Sequence, residues 1–175
     1  MIKRIAIFFC LLGPAWYAGA QEVFKPRPSP LAIASVRYQD HYVKITYGQP
    51  QRRGRQIFGD LVPFGKVWRT GANEATEITP VKDIQLQDIV LKAGTYSIFT
   101  IPERDKWTII INADVGLWGA YNYNPAKDLW RFEVPVLEAE TRYEAFTILF
   151  DHRNEVADLL MYWDRAKISI PVKFL

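Results

Sequence analysis

Two short strings in this sequence hold residue types suited to recognition or chemistry. The first, Lys66-Val67-Trp68-Arg69-Thr70-Gly71-Ala72-Asn73-Glu74-Ala75-Thr76, gathers a tryptophan, an arginine, an asparagine, a glutamate and two threonines around Gly71. Arginine presents a planar fork of donors that matches a carboxylate or phosphate, and the tryptophan ring offers a face for stacking. Asn73 and Glu74 would complete a polar site. A blander reading stands beside this one: Arg69 and Glu74, with a flexible glycine between them, pair with each other and brace a loop. The second string, Trp118-Gly119-Ala120-Tyr121-Asn122-Tyr123, sets aromatic rings beside glycine and asparagine. Such rings suit stacking on a sugar, or they plug the end of a sheet structure. The candidate ligand-binding residues are therefore Arg69, Asn73, Glu74, Trp118 and Tyr121.

Other chemistries find no footing. His41 and His152 are far apart, no HxH, HxxxH or HExxH spacing occurs, and Cys10 is the single cysteine, so no metal site is expected. Both histidines read as solvated loop or strand residues. Ser29, Ser35, Ser97 and Ser169 lie in no GxSxG context, and no P-loop or GxGxxG string exists, so no cofactor is expected. Glu74 and Glu77, three apart on a strand, would point to opposite faces and could not act together, although either could meet a distant carboxylate such as Asp128. The run Arg52-Arg53-Gly54-Arg55 reads as a solvated positive turn before it reads as a phosphate or polyanion site.

The elements that must position these residues alternate with period two. Val43, Ile45 and Tyr47 alternate with Tyr42, Lys44 and Thr46; Trp130, Phe132 and Val134 with Leu129, Arg131 and Glu133; Ile168, Ile170, Val172 and Phe174 with Lys167, Ser169, Pro171 and Lys173. Alternation of this kind belongs to half-buried antiparallel strands. Further strands are predicted at Ala32–Arg37, Glu74–Thr79, Ile89–Leu91, Tyr96–Ile101, Trp107–Asn112, Glu144–Phe150 and Asp158–Trp163. Trp130, Phe132, Phe146, Ile148, Ile168 and Ile170 are the expected core. Pro171 cannot donate to a ladder and marks the last strand as an edge. No window holds a helical apolar pattern of useful length. The prediction is an all-β fold, an antiparallel β-sandwich or closed barrel of about ten strands.

Residues 1–20 have the layout of a secretory signal peptide: Lys3 and Arg4, an apolar run from Ile5 to Leu12, and Ala18-Gly19-Ala20 before Gln21. Cys10 sits inside the apolar run, without the context of a lipid-modified cysteine. No stretch reaches the ~18 apolar residues of a transmembrane helix. A periplasmic or secreted location follows as the expectation. Of 22 basic residues two leave with the leader, so 20 face 19 acidic residues in the mature chain, a net charge of +1 that argues against nucleic acid as a partner. Residues 21–30, with proline at every second position from Pro26, read as an extended linker, and 31–175 as a single β domain. A hydrophobic fraction of 49% with 23% charged residues excludes a disordered chain.

The strings Gly54-Arg55-Gln56-Ile57-Phe58-Gly59 and Leu61-Val62-Pro63-Phe64-Gly65 run into Lys66–Thr76. Together with Ala93–Pro102, Trp107–Asn112 and Trp118–Tyr121 they resemble the secreted bacterial family called domain of unknown function 2911. The resemblance covers about Ser29 to Leu175. Phe64 stands where that family is expected to carry tyrosine, a departure that removes a ring hydroxyl and keeps the packing. What the resemblance implies is an exported β-rich domain of envelope-associated proteins in Gram-negative bacteria; it brings no activity and no catalytic residues.

Three functional readings remain. The leading one is a non-enzymatic module binding a carbohydrate or other small polar ligand, with polar contacts from Arg69, Asn73 and Glu74 and stacking from Trp118 and Tyr121. The alternatives are a hydrolase or isomerase, with Glu74 as general base and Arg69 holding an anionic group, and a structural envelope protein. No protein partner is indicated. The leader gives the first testable outcome: the intact mass of protein recovered from periplasm or medium corresponds to a chain starting at Gln21. A retained Met1, or a lipid mass on Cys10, overturns it.

Overall fold

The computed structural model describes residues 25–175; the expected leader and cleavage point, Cys10 and the first part of the proline-rich segment lie outside the described residues. The strand His41–Gly48 shows why the chain folds as sheet. Val43, Ile45 and Tyr47 are buried on one face, while Tyr42, Lys44 and Thr46 on the other keep partial access to water. Period-two patterning imposes that division on any extended segment, and burying the apolar face supplies the driving force.

Ten strands follow one another among the described residues: β1 Leu31–Tyr38, β2 His41–Gly48, β3 Thr76–Pro80, β4 Ile84–Leu86, β5 Ile89–Leu91, β6 Tyr96–Pro102, β7 Lys106–Asn112, β8 Asp128–Pro135, β9 Leu137–Arg153 and β10 Val156–Phe174. A single 3₁₀ turn, Pro125–Lys127, precedes β8, and no described helix is long and apolar enough to cross a membrane. The strands form two antiparallel sheets, ordered β1-β2-β3-β6-β7-β8 and β5-β4-β10-β9. The sheets do not close on each other, so the architecture is the sandwich and not the barrel. Ile45, Ile78, Ile98, Ile109 and Ile111 of the larger sheet meet Phe146, Ile148, Leu159, Met161, Ile168 and Ile170 of the smaller in one core.

Four expectations need correction. Trp130 is 44% exposed although it shares a face with Val134, which is 3% exposed. β8 is the outermost strand of its sheet, and its apolar face emerges from cover from Val134 through half-buried Phe132 to Trp130. The segments Asp158–Trp163 and Lys167–Phe174 are one strand, β10, bent by irregular register between Tyr162 and Ala166, where Asp164 takes a φ of 52°. β10 is not an edge strand; it lies between β4 and β9. Pro171 is accommodated because its carbonyl accepts from the Gln87 N–H at 2.8 Å, while the Gln87 carbonyl, deprived of a return donor, is served by Gln85 Nε2 at 2.8 Å. The three-residue β4 has no counterpart among the predicted strands.

One register row of the large sheet sets up the functional end of the molecule. Thr46 pairs with Glu77, Glu77 with Ser97 and Ser97 with Asn112. The end of β2, the start of β3 and the end of β7 therefore lie at the same end of the sheet. The core assignment predicts that Phe146→Ala lowers unfolding free energy by roughly 3–5 kcal/mol in denaturant titrations, and Trp130→Ala by less than about 1. A loss below about 1 kcal/mol at Phe146 would mean the wrong face.

Candidate functional site

Because β2 ends where β3 begins and β7 ends, the connections Gln49–Ala75 and Ala113–Lys127 emerge side by side. A connection as long as Gln49–Ala75 is uncommon in a compact fold unless it carries function. It is held at both ends. Gly48 lies so close to the loop that a Cβ there would stand 1.9 Å from the Ala72 carbonyl oxygen, and Ala72 N–H donates to the Gly48 carbonyl at 3.1 Å. Only glycine fits that approach.

Trp68 fixes the middle. Its backbone exchanges hydrogen bonds with Thr100 of β6 at 2.7 and 2.9 Å, which aims the indole inward. There it stacks on Trp163 at 5.8 Å and meets Phe146 edge-on at 5.1 Å. The indole N–H donates to the Gly71 carbonyl at 3.0 Å. Trp68 is thus a core residue and not the ligand-stacking face expected from the sequence. The adjoining Thr70 is fully buried with a φ of 56°, in the left-handed region that a β-branched residue rarely enters, and Asn73 has a φ of 61°. Thr70 is held there by Thr100 Oγ1 at 3.1 Å and by Thr76 Oγ1, which donates to its carbonyl at 2.7 Å.

The second connection folds over the outer face of the large sheet, where Leu117, Ala120 and Tyr123 cover Phe99 and Ile110. It touches the first directly: Ala75 N–H donates to the Leu117 carbonyl and Gly119 N–H to the Asn73 carbonyl, each at 2.9 Å, and Glu74 pairs with Trp118 as an isolated bridge. The two strings, separate in the sequence, are neighbours. Trp118 is 55% and Tyr121 85% exposed.

Arg69 and Glu74 do not pair. Glu74 Oε1 accepts from Arg27 Nη1 at 2.7 Å, and Asn73 Nδ2 donates to the Ser29 carbonyl at 3.0 Å, so residues of the proline-rich segment lie against this loop. Arg53 Nη2 donates to the Pro28 carbonyl at 3.1 Å on the same segment. Nothing in the spacing of the sequence points to Arg27 or Ser29 as neighbours of the candidate residues. The Arg27 guanidinium holds the Glu74 carboxyl below the usual carboxylate range. Arg69 is half-buried, makes no ion pair among the described residues, and lines a cleft of 190 Å³ with Ser29, Arg55 and Trp163. Burial pulls its guanidinium below the ordinary arginine value, with the nearby Tyr121 phenol acting in the opposite sense.

Glu74 precedes β3, so it and Glu77 both line one hollow of 300 Å³ and the opposite-face argument fails for them. Glu77 Oε1 is already engaged by the Gly116 N–H at 2.7 Å. Asp128 is bound by Asn112 at 2.7 Å, Tyr123 at 2.6 Å and Arg131 at 2.7 Å, a satisfied network that anchors the second connection. His41 is buried, not solvated, with Nε2 2.7 Å from the Leu175 carbonyl, and both histidine rings flank Phe174. Among the described residues no group of three or more His, Cys, Asp or Glu is placed to hold a metal ion.

The family described as protein of unknown function (DUF2911) matches residues 29–172. No curated protein and no solved structure matches the chain.

The Asp128 network carries a pH prediction. Burial and the bond to Asp128 push the Tyr123 phenol up to about 12, against about 10 in an unfolded chain. A raised folded-state value gives stability that is complete below pH ~10 and is lost as pH rises toward about 12. Tyr47, also raised by burial, adds to that loss. Denaturation midpoints measured from pH 9 to 12 should fall less steeply for Tyr123→Phe than for the wild type. An unchanged slope would show that Tyr123 is not responsible.

Proposed function

This chain belongs to the DUF2911 family, and we propose that it is a non-enzymatic binding module of the bacterial envelope, periplasmic or secreted, for a carbohydrate or other small polar ligand. The ligand sits where the two connections meet, with Asn73 and Glu74 on one and Trp118 and Tyr121 on the other. The observation that carries this reading is the pair of large, exposed aromatic side chains held beside an already ordered polar loop. Exposed rings next to fixed hydrogen-bonding groups are what sugar recognition requires, since a sugar offers an apolar face and a hydroxyl rim.

Catalysis by Glu74 is the weaker reading. A general base works best with a pKa near the operating pH, and the bond from Arg27 shifts Glu74 the other way. Its one carboxylate neighbour in the hollow, Glu77, is occupied by Gly116. The structural reading accounts for Trp68 and Tyr123, which pack, but not for Trp118 and Tyr121, which project.

Thermal melting against a panel of neutral and acidic mono- and disaccharides tests the proposal. A sugar present at about 100 times its Kd adds about 2.7 kcal/mol, a rise of several degrees. The double variant Trp118→Ala/Tyr121→Ala should melt close to the wild type and lose the rise. Glu74→Gln should cost under about 1 kcal/mol, because the pair it breaks is solvent-exposed. No shift with any sugar, or an undiminished shift in the double variant, overturns the reading.

A further inference from the structure

The cleft beside Arg69 has a chemical character that the exposed rings do not explain. It is lined by two guanidinium groups, Arg69 and Arg55, and neither forms an ion pair among the described residues. Arg55 is turned to face backbone only: Nε donates to the Arg52 carbonyl at 3.0 Å and Nη2 to the Gln51 carbonyl at 2.6 Å. Arg69 Nε is buried and has no hydrogen-bond partner. Neighbouring arginines are treated differently. Arg27 is paired with Glu74, and Arg52 and Arg142 share Asp164. Glu144 spends Oε1 on the Arg53 N–H at 2.6 Å.

A half-buried cation without a counter-charge is a standing cost that a fold retains only when something compensates it. The backbone around Arg69 is also held rigid at some expense, by the left-handed Thr70 and by the Trp68–Gly71 bond. Strain of that kind collects where a side chain must be presented in one geometry. The cleft volume of 190 Å³ lies below the ~300–1,000 Å³ of sites that enclose a whole drug-sized ligand. It has room for a charged group and little more.

We propose that this cleft is an anion subsite, and that the ligand of the binding module is an acidic small molecule whose carboxylate or phosphate group enters between Arg69 and Arg55. The proposal rests on the binding-module reading and adds the ligand's charge to it. Arg69 supplies the planar fork that takes two oxygens, and the body of the ligand extends outward past Tyr121 toward Trp118. The basic run Arg52-Arg53-Gly54-Arg55 acquires a role in this way: Arg52 and Arg53 tie the loop to Asp164 and Glu144, and Arg55 adds charge to the cleft.

Calorimetric titration with D-glucuronate, D-glucose 6-phosphate, inorganic phosphate and D-glucose tests the charge requirement on the full mature chain. Expected is binding of glucuronate or glucose 6-phosphate at least tenfold tighter than glucose, the better of the two identifying carboxylate or phosphate as the preferred group. Arg69→Met should weaken that binding by roughly tenfold or more, the scale of one charge-assisted contact, while melting no lower than the wild type because it removes an uncompensated buried charge. Arg69→Lys, which keeps the charge and loses the fork, should recover only part of the affinity. Arg55→Met is the second variant should Arg69→Met fold poorly, and it should weaken the same ligand. Equal affinity for glucose and the acidic sugars, or acidic-sugar binding untouched by both arginine variants, overturns the anion subsite. The binding-module reading survives that result when a neutral sugar still binds through Trp118 and Tyr121. Absence of binding by all four probes overturns the anion subsite, and absence of any shift in the wider sugar panel overturns the module reading separately.

Discussion

The inward placement of Trp68 is the constraint on which the functional end depends. The long connection between β2 and β3 has few regular elements of its own, only isolated bridges to Ala145, Thr100 and Trp118 and one within itself. Packing Trp68 among Trp163, Trp107 and Phe146 gives it a fixed point. Loss of a buried tryptophan of this kind costs ~3–5 kcal/mol, whereas left-handed strain at Thr70 costs about 1–3. The anchor is therefore large enough to hold the neighbouring backbone out of its preferred conformation. Trp68 points inward along β6, and the next residue, Arg69, lines the cleft beside it. The core and the site are consecutive residues of one strained segment.

The second connection is fixed by different physics. Its apolar side chains Leu117 and Ala120 lie on Phe99 and Ile110, so β6 and β7 are covered on both faces here. Its polar end is tied by Asp128, which accepts from Asn112, Tyr123 and Arg131. A carboxylate that accepts from three donors at once holds its geometry more tightly than any single bond does. Trp118 and Tyr121 lie between these two attachments and need no packing of their own. By contrast, the proline-rich segment is fastened by an exposed ion pair and bonds to its backbone carbonyls, contacts of the weaker kind.

Period-two alternation made most of the sandwich legible in the sequence, because burial of one face is a local property of each strand. What depends on distant partners was not legible. Ile84–Leu86 is held as a strand by its pairing with β10 on one side and β5 on the other, partners its own three residues do not announce. Trp68 and Trp118 stand in similar polar, glycine-containing strings, yet one is buried and the other more than half exposed. The difference is made by backbone pairing to Thr100 in one case and to Glu74 in the other. The five candidate residues do gather at one end of the molecule, for a reason no string contains: the register that aligns Thr46, Glu77, Ser97 and Asn112. Proximity in sequence favours Arg69 as a partner for Glu74, while the fold delivers Arg27 from 47 positions away.

Charge balance gives the unpaired arginines their meaning. With 20 basic and 19 acidic residues after the expected leader, the chain has nearly enough carboxylates to match every cation. Three acids of the neighbouring segments are committed elsewhere: Asp164 to Arg52 and Arg142, Glu74 Oε1 to Arg27, and Glu144 Oε1 to a backbone N–H. The shortage at Arg69 is thus one of arrangement, not of composition. Stability alone would favour an apolar side chain at that position, since an unpaired, partly desolvated guanidinium lowers it. An arginine held there by strained backbone, with its neighbours' counter-ions already assigned, makes physical sense when the missing negative charge arrives with a ligand.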